Sequence, residues 1–244
     1  TLFPYTTLFR SVTSAAQPPG LPELSDDAVR RFAQIREDFT RMMLGYRIGM
    51  EQVTTRLDIL REEFAELHAD NPIEHISTRL KSPESIIAKA ARQDVPLEIE
   101  ALRANITDIA GIRVVCSFVA DVYRLVDSLT AQPDITVRTV KDYIATPKPN
   151  GYRSLHVILE IPVFLSSGPV QVPVEVQFRT VAMDFWASTE HKIFYKYEGD
   201  VPPDLSRRIT DAAATASRMD DEMAELLRRV HGTDESSDPR GPRS

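Results

Sequence analysis

The sequence predicts an α/β (α+β) protein, a mixed β-sheet of about five strands flanked by helices, with helical extensions towards both ends. Three observations carry this. Apolar residues recur at helical spacing between Val29 and Leu67 and again between Asp204 and Val230, whereas the middle of the chain holds β-branched runs divided by breaker clusters. The stretch Val170 to Arg179 alternates cleanly, with Val174, Val176 and Phe178 pointing one way and Glu175, Gln177 and Arg179 the other. No internal repeat is present to suggest a solenoid instead.

Residues 1–24 open on a segment without an initiator methionine that resembles translated adapter sequence and end near the breaker cluster Gln17-Pro-Pro-Gly-Leu-Pro22; they are read as a non-native or disordered leader. Ser25 is a helix cap, and Asp26 and Asp27 then suit the positive end of the helix dipole. Residues 25–70 form an N-terminal helical region, either one long helix or two with a break at Gly45 and Gly49. Asn71-Pro72 stops it. Residues 71–200 form the central domain. Its expected elements are a strand from Ile73 to Leu80, a helix opened by Ser82-Pro83 and running to about Arg92, a strand from Thr107 to Phe118 and a helix from Ala120 to Thr130. Three strands follow, around Thr136 to Ile144, Ser154 to Val163 and Val170 to Arg179, the last two joined by the turn residues Ser166-Ser-Gly-Pro169. Helices are expected from Val181 to Tyr197 and, in a C-terminal region of 201–232, from Asp204 to Val230; residues 233–244 are a polar tail expected to be disordered.

A formal charge of −7 and a pI near 5.3 over 244 residues exclude a protein whose main task is to coat nucleic acid, so any basic site must be local. The single Cys116 allows no intramolecular disulfide and sits in the apolar run Ile112 to Phe118, which suits a buried small hydrophobe in a reducing cytoplasm. No stretch is long and apolar enough to span a bilayer as a helix.

Against this acidic background, cations cluster on four elements: Arg79, Lys81 and Lys89; Arg113; Lys148; and Arg179. Two carboxylates, Asp108 and Glu175, stand among them at strand-like positions. This is the chemistry of a polyphosphate site with Mg²⁺, built without a glycine-rich phosphate loop, since neither G-x-x-x-x-G-K-[ST] nor G-x-G-x-x-G occurs. Taken alone, the cations of Arg79 to Lys89 are better read as a solvated basic patch, and Asp108 as a strand terminator. Glu175 resists the plain reading, because its neighbours mark a core strand in which an unpaired carboxylate is costly. Asp108 and Arg113 have opposite parity, so a bulge near Gly111 is expected if both line one site. In Lys148-Pro-Asn-Gly-Tyr-Arg-Ser-Leu-His156, a turn tip carries an aromatic between cations, which suits either base stacking or local packing on a surface loop.

Together, Arg79-Leu-Lys-Ser-Pro-Glu-Ser-Ile-Ile-Ala-Lys89, Asp108-Ile-Ala-Gly-Ile-Arg113, Lys148 to His156, Glu175-Val-Gln-Phe-Arg179 and Met183-Asp-Phe-Trp-Ala-Ser-Thr-Glu-His191 closely resemble the synthetase domain of the RelA/SpoT family, over Asn71 to Glu198, and at this length its small alarmone synthetases. The resemblance implies a nucleotidyltransferase-like synthetase fold and a GTP diphosphokinase that moves pyrophosphate from ATP to the 3′-hydroxyl of GDP or GTP. It implies that Arg79 and Arg113 sandwich adenine, that Lys81, Ser85 and Lys89 hold the ATP phosphates, and that Asp108 and Glu175 bind Mg²⁺, with Glu175 as general base. On the acceptor side it implies guanine stacking by Tyr152, phosphate contacts by Lys141 and Lys148, pocket roles for His156 and Gln177, and support of the loop by Asn150. It further implies a homotetramer assembled through the terminal helices, and regulation by single-stranded RNA in some members. With His75 at a position often aromatic in product-activated relatives, product activation is expected to be weak. The alternative is a nucleotide- or RNA-binding regulator on the same fold with vestigial synthesis; two carboxylates among phosphate-binding cations speak against it.

Overall fold

The computed structural model describes residues 25–68, 71–194 and 202–231, so the expected leader and tail lie outside the described residues. The chain divides into two compact units, residues 1–40 and 41–244. In the first, Ser25 caps the opening helix through Oγ, which accepts from the Ala28 amide at 3.3 Å, and Val29, Phe32 and Ile35 are exposed.

The described elements are α1 (Asp26–His68), β1 (Ile73–Leu80), α2 (Pro83–Arg92), α3 (Ile99–Asn105), β2 (Ala110–Cys116), α4 (Val119–Thr130), β3 (Thr136–Asp142), β4 (Leu155–Leu165), β5 (Gly168–Thr180), α5 (Val181–Phe194) and α6 (Pro203–His231). The sheet runs β1-β2-β5-β4-β3; β2 and β5 are parallel and every other pair is antiparallel. It is the mixed five-stranded sheet that the sequence predicts.

α1 does not break at its glycines. A β-carbon at Gly49 would lie 3.0 Å from Cγ1 of Val172, and one at Gly45 3.6 Å from Cγ2 of the same residue. Both glycines therefore let the helix approach β5 closely, which is a packing requirement and no interruption of the helix. Around them Met42, Tyr46, Val53, Leu57, Leu60 and Phe64 form the buried stripe of the second unit's part of α1.

Sheet register separates two faces. Ile112 lies opposite Val176, and Val114 and Leu155 lie opposite Phe178, which makes one apolar face of fully or almost fully buried side chains. The other parity, namely Arg79, Arg113, Glu175, Gln177, Arg179, His156 and Lys141, makes the second face. α3 is an element that the sequence reading passed over, because seven residues give too little periodicity to detect. The strand expected from Thr107 begins only at Ala110, so Asp108 stands in the turn before β2; the expected bulge at Gly111 is absent, and the register shifts fall in β1 and β3. Freed from strand parity, Asp108 can face the same site as Arg113 without one.

α5 starts where Thr180 Oγ1 accepts from the Met183 amide at 3.1 Å and donates to Asp220 of α6 at 2.9 Å. Trp186 Nε1 donates to the Ile209 carbonyl, and Trp186, Ala187 and Ala213 form a small buried cluster between α5 and α6. Among the described residues no helix is long and apolar enough to cross a membrane.

Candidate active site

Three ladder positions build the floor. Arg79 lies opposite Gly111, which in turn lies opposite Glu175, so a residue without a side chain leaves a gap between a guanidinium and a carboxylate. One step along, Arg113, Gln177, His156 and Lys141 follow one another across β2, β5, β4 and β3. Arg179 follows Gln177 on the same face of β5. Period-two alternation is the reason that seven polar residues from five strands share one surface.

At one corner, Lys81 Nζ is 2.6 Å from Asp108 Oδ2 and Lys89 Nζ is 2.8 Å from Asp108 Oδ1. The Lys81 amide donates to the Ile109 carbonyl at 2.8 Å, which ties the end of β1 to the turn that carries Asp108. α2 opens as its sequence predicts, with Pro83 in the first turn and the Ser85 amide donating to Ser82 Oγ at 3.3 Å. Ser85 Oγ accepts from Ser82 Oγ at 3.1 Å, so both hydroxyls stand at the helix N-terminus, where amides and dipole favour an anion. Burial pushes the Asp108 carboxyl up, but the two ammonium groups outweigh it and hold its pKa below the usual range.

Glu175 is oriented by two neighbours: its Oε1 is 3.0 Å from His156 Nδ1, and its Oε2 accepts from Gln177 Nε2 at 3.3 Å. Burial raises its pKa, His156 and Gln177 lower it, and the charge of Asp108 raises it slightly; the net shift is downward. Glu175 lies opposite Gly111, three residues beyond Asp108 and at the start of the strand into which the Asp108 turn leads.

The Lys148–Tyr152 turn is held from several directions. Gly151 (φ 87°) donates its amide to the Lys148 carbonyl at 2.8 Å, the Lys148 amide donates to the Tyr152 carbonyl, and the Tyr152 amide donates to Asn150 Oδ1 at 3.1 Å. Lys148 Nζ stands 4.6 Å from the ring centre of Tyr143 and 4.8 Å from that of Tyr152. The Tyr152 hydroxyl lies 2.8 Å from His156 Nε2 and accepts from Arg179 Nη2 at 2.9 Å. A hydrogen-bonded chain thus runs from Arg179 through Tyr152 and His156 to Glu175. Arg153 donates to the Ile144 carbonyl and to Ser217 Oγ of α6, which closes the loop on itself and on the C-terminal helix.

The structure brings Arg79, Arg113, Glu175, Gln177, His156 and Lys141 to one sheet face, with Lys81, Lys89, Asp108 and Ser85 at its β1–α2 corner and Lys148, Asn150 and Tyr152 on the turn beyond β3. Lys141 is exposed on the edge strand, and Asn150, besides accepting from Tyr152 in its own turn, donates from Nδ2 to Glu190 Oε1 of α5 at 3.4 Å. On α5, Asp184 is half-buried and bonds the sheet, whereas Phe185 is 70% exposed. Tyr143, Arg153 and the bonding of Asp184 escaped the sequence reading. Arg153 had a signal, its place beside Tyr152 in a turn; Tyr143 and Asp184 act through contacts that only the fold creates.

Residues 78–200 match the family model described as "Region found in RelA / SpoT proteins". The chain is 43% identical over 196 residues to GTP pyrophosphokinase YwaC of Bacillus subtilis, covering 80% of this chain and 93% of that one, and 39% identical to GTP pyrophosphokinase YjbM of the same organism, covering 80% and 90%. The fold superposes with a TM-score of 0.73 on the small alarmone synthetase 1 of Bacillus subtilis bound to its product pppGpp, at 39% identity, covering 80% of this chain and 98% of that one. The match of sequence, fold and site order has one meaning: the chain belongs to the RelA/SpoT family, beside its small alarmone synthetases.

Proposed function

We propose that this chain transfers the pyrophosphoryl group of ATP to the 3′-hydroxyl of GDP or GTP, forming ppGpp or pppGpp and releasing AMP. The observation that carries the reading is Asp108 held between Lys81 and Lys89 at the β1–α2 corner, with Glu175 on β5 bonded to His156 and the Lys148–Tyr152 turn on the other side of His156. The relatives named as GTP pyrophosphokinases, and a near neighbour solved with pppGpp, support the same chemistry.

On the donor side, Arg79 and Arg113 present planar guanidinium groups to adenine, and Lys81, Lys89 and Ser85 take the triphosphate. Asp108 stands between both lysines and keeps their charges side by side at this corner. On the acceptor side, Tyr152 stacks on guanine, Lys148 and Lys141 hold its phosphates, Gln177 and His156 line the pocket, and Asn150 holds the turn. The two ionised carboxylates fit Mg²⁺, which takes one or two such oxygens together with substrate phosphates. When bound there it would neutralise charge developing on the transferred group. Glu175 accepts the proton of the 3′-hydroxyl as the 3′-oxygen forms its bond to the β-phosphorus and the bond from that phosphorus to the AMP oxygen breaks. His156, on Glu175 Oε1, keeps the base aimed, and the rest of the catalysis is positioning in line.

Residues 71–200 constitute the synthetase domain of this reading, with helical regions at 25–70 and 201–232. Exposed Met219, Met223, Leu226 and Val230 on α6 support assembly of copies into a tetramer. The lone buried Cys116 is consistent with a cytoplasmic enzyme. Incubating the purified chain with ATP, Mg²⁺ and either GDP or GTP, and resolving the products, tests the proposal. AMP and a 3′-pyrophosphorylated guanine nucleotide are expected in equal amounts; ATP left intact with both acceptors overturns it.

A further inference from the structure

One carboxylate oxygen serves both sides of the site. Oδ1 of Asp184, in the first turn of α5, is 3.0 Å from Nη1 of Arg179 and 3.4 Å from Nη1 of Arg113. Arg179 and Arg113 stand on adjacent parallel strands, Arg179 opposite Val115 and Arg113 opposite Gln177. Their surroundings differ. The Arg179 side chain is 6% exposed and spends its other terminal nitrogen on the Tyr152 hydroxyl and on Gln177 Oε1 at 3.1 Å, whereas the Arg113 side chain is 41% exposed and free to present a face to a base. Two guanidinium groups this close repel unless an anion lies between them, and a nearly buried one must have its charge matched. Asp184, itself only 17% exposed, supplies that anion.

We infer that Asp184 is a positioning residue that couples the two nucleotide pockets, by locking Arg113 on the ATP side to Arg179, and through Arg179 to Tyr152 and Gln177 on the acceptor side. The inference rests on the pocket assignment proposed above. A base stacked on Arg113 restrains that guanidinium, and the shared oxygen passes the restraint to Arg179, which holds the ring that receives guanine. ATP and the acceptor should therefore bind with positive cooperativity, and by linkage each should tighten the other by the same factor. A carboxamide at this position keeps one acceptor oxygen but loses the charge that holds two cations together.

The test is calorimetric binding of GDP to the full chain, with and without a saturating non-hydrolysable ATP analogue carrying a methylene bridge between its α- and β-phosphates. In the unaltered protein the analogue is expected to tighten GDP by about fivefold or more, the low end of typical site-to-site couplings. In Asp184→Asn the factor should fall below about twofold, with a larger KM for both substrates and a smaller change in kcat. Asp184→Glu, which keeps the charge, should restore the coupling. Thermal melting establishes that each variant is folded; if Asp184→Asn is not, Arg113→Gln breaks the same bridge at its exposed arm and must also reduce the coupling below twofold. Absence of coupling in the unaltered protein, or equal coupling in the protein and in the folded variant, overturns the inference. Either result in a protein that makes product rejects only the bridge, whereas a protein that makes none rejects the functional reading itself.

Discussion

Replacing Gly151 with alanine is expected to move the turn that carries Tyr152, and the structure sets the size of the effect. Gly151 has φ 87°, a left-handed conformation that costs an L-residue about 1–2 kcal/mol. Its added β-carbon would stand 2.4 Å from the β-carbon of Ala213 on α6, an overlap that cannot be absorbed in place. Relieving such overpacking costs about 1–3 kcal/mol, so the two effects together come to about 2–5 kcal/mol. For a chain of this size that is a fall in Tm of roughly 5–15 °C. α6 is tied down by Thr180 to Asp220 and by the Trp186 indole, so the turn is the part that yields. Since Tyr152 is the next residue, KM for GDP or GTP should rise several-fold more than KM for ATP. Thermal melts and initial rates at varied concentration of each substrate measure both effects. An unchanged Tm would refute the packing argument, and a lowered Tm with an unchanged acceptor KM would show that α6 moves instead of the turn.

Other outcomes follow from the same geometry. Glu175→Gln should lower transfer at least ~100-fold, the usual scale for a general base, and leave ATP affinity within about twofold, because it removes no triphosphate cation; activity within a few-fold of the unaltered chain would take Glu175 out of the mechanism. Tyr152→Phe keeps a stacking ring but removes the hydroxyl that bonds both Arg179 and His156, a loss of about 1–3 kcal/mol, so kcat/KM for the acceptor should drop roughly tenfold or more with KM for ATP nearly constant; equal effects on both substrates would contradict the pocket assignment. Asp108 and Glu175 have folded-state pKa values below their unfolded ones, so each contributes stability that is present above the ordinary carboxylate range, about 3.9–4.3, and is lost as pH falls through the folded value. Tm should therefore vary little on their account from neutral pH down to that range and fall below it. Asp108→Asn should remove part of that acid-side fall, and acid melts of the two proteins that run parallel would contradict the ion-pair account.

Much of this was legible in the chain itself, for identifiable reasons. The alternation Val174-Glu175-Val176-Gln177-Phe178-Arg179 sets a period of two that cannot be met except by one buried and one polar face, and β5 has both. Ser82-Pro83 dictates where α2 begins, because proline suits a first helical turn and serine its cap. The length of α1 was less legible, since Gly45 and Gly49 weaken a helix in isolation and are tolerated here only because β5 needs the space.

What the sequence determined by itself is therefore local: the periodicities, the caps, the turn at Gly151, and the residue types that a polyphosphate site requires. What only the tertiary structure decided is which of them meet. The parallel pairing of β2 with β5 places Gly111 between Arg79 and Glu175 and Arg113 beside Gln177, and the turn before β2 delivers Asp108 to Lys81 and Lys89. Asp184 shows the distinction well, since as a sequence position it is one acid on a polar helix face, and in the fold it is the counter-ion of two strands' arginines. Local preferences act over a few residues, whereas strand order, register and the approach of α5 and α6 are settled by burial over the whole chain, and a shared counter-ion exists only after that burial is complete.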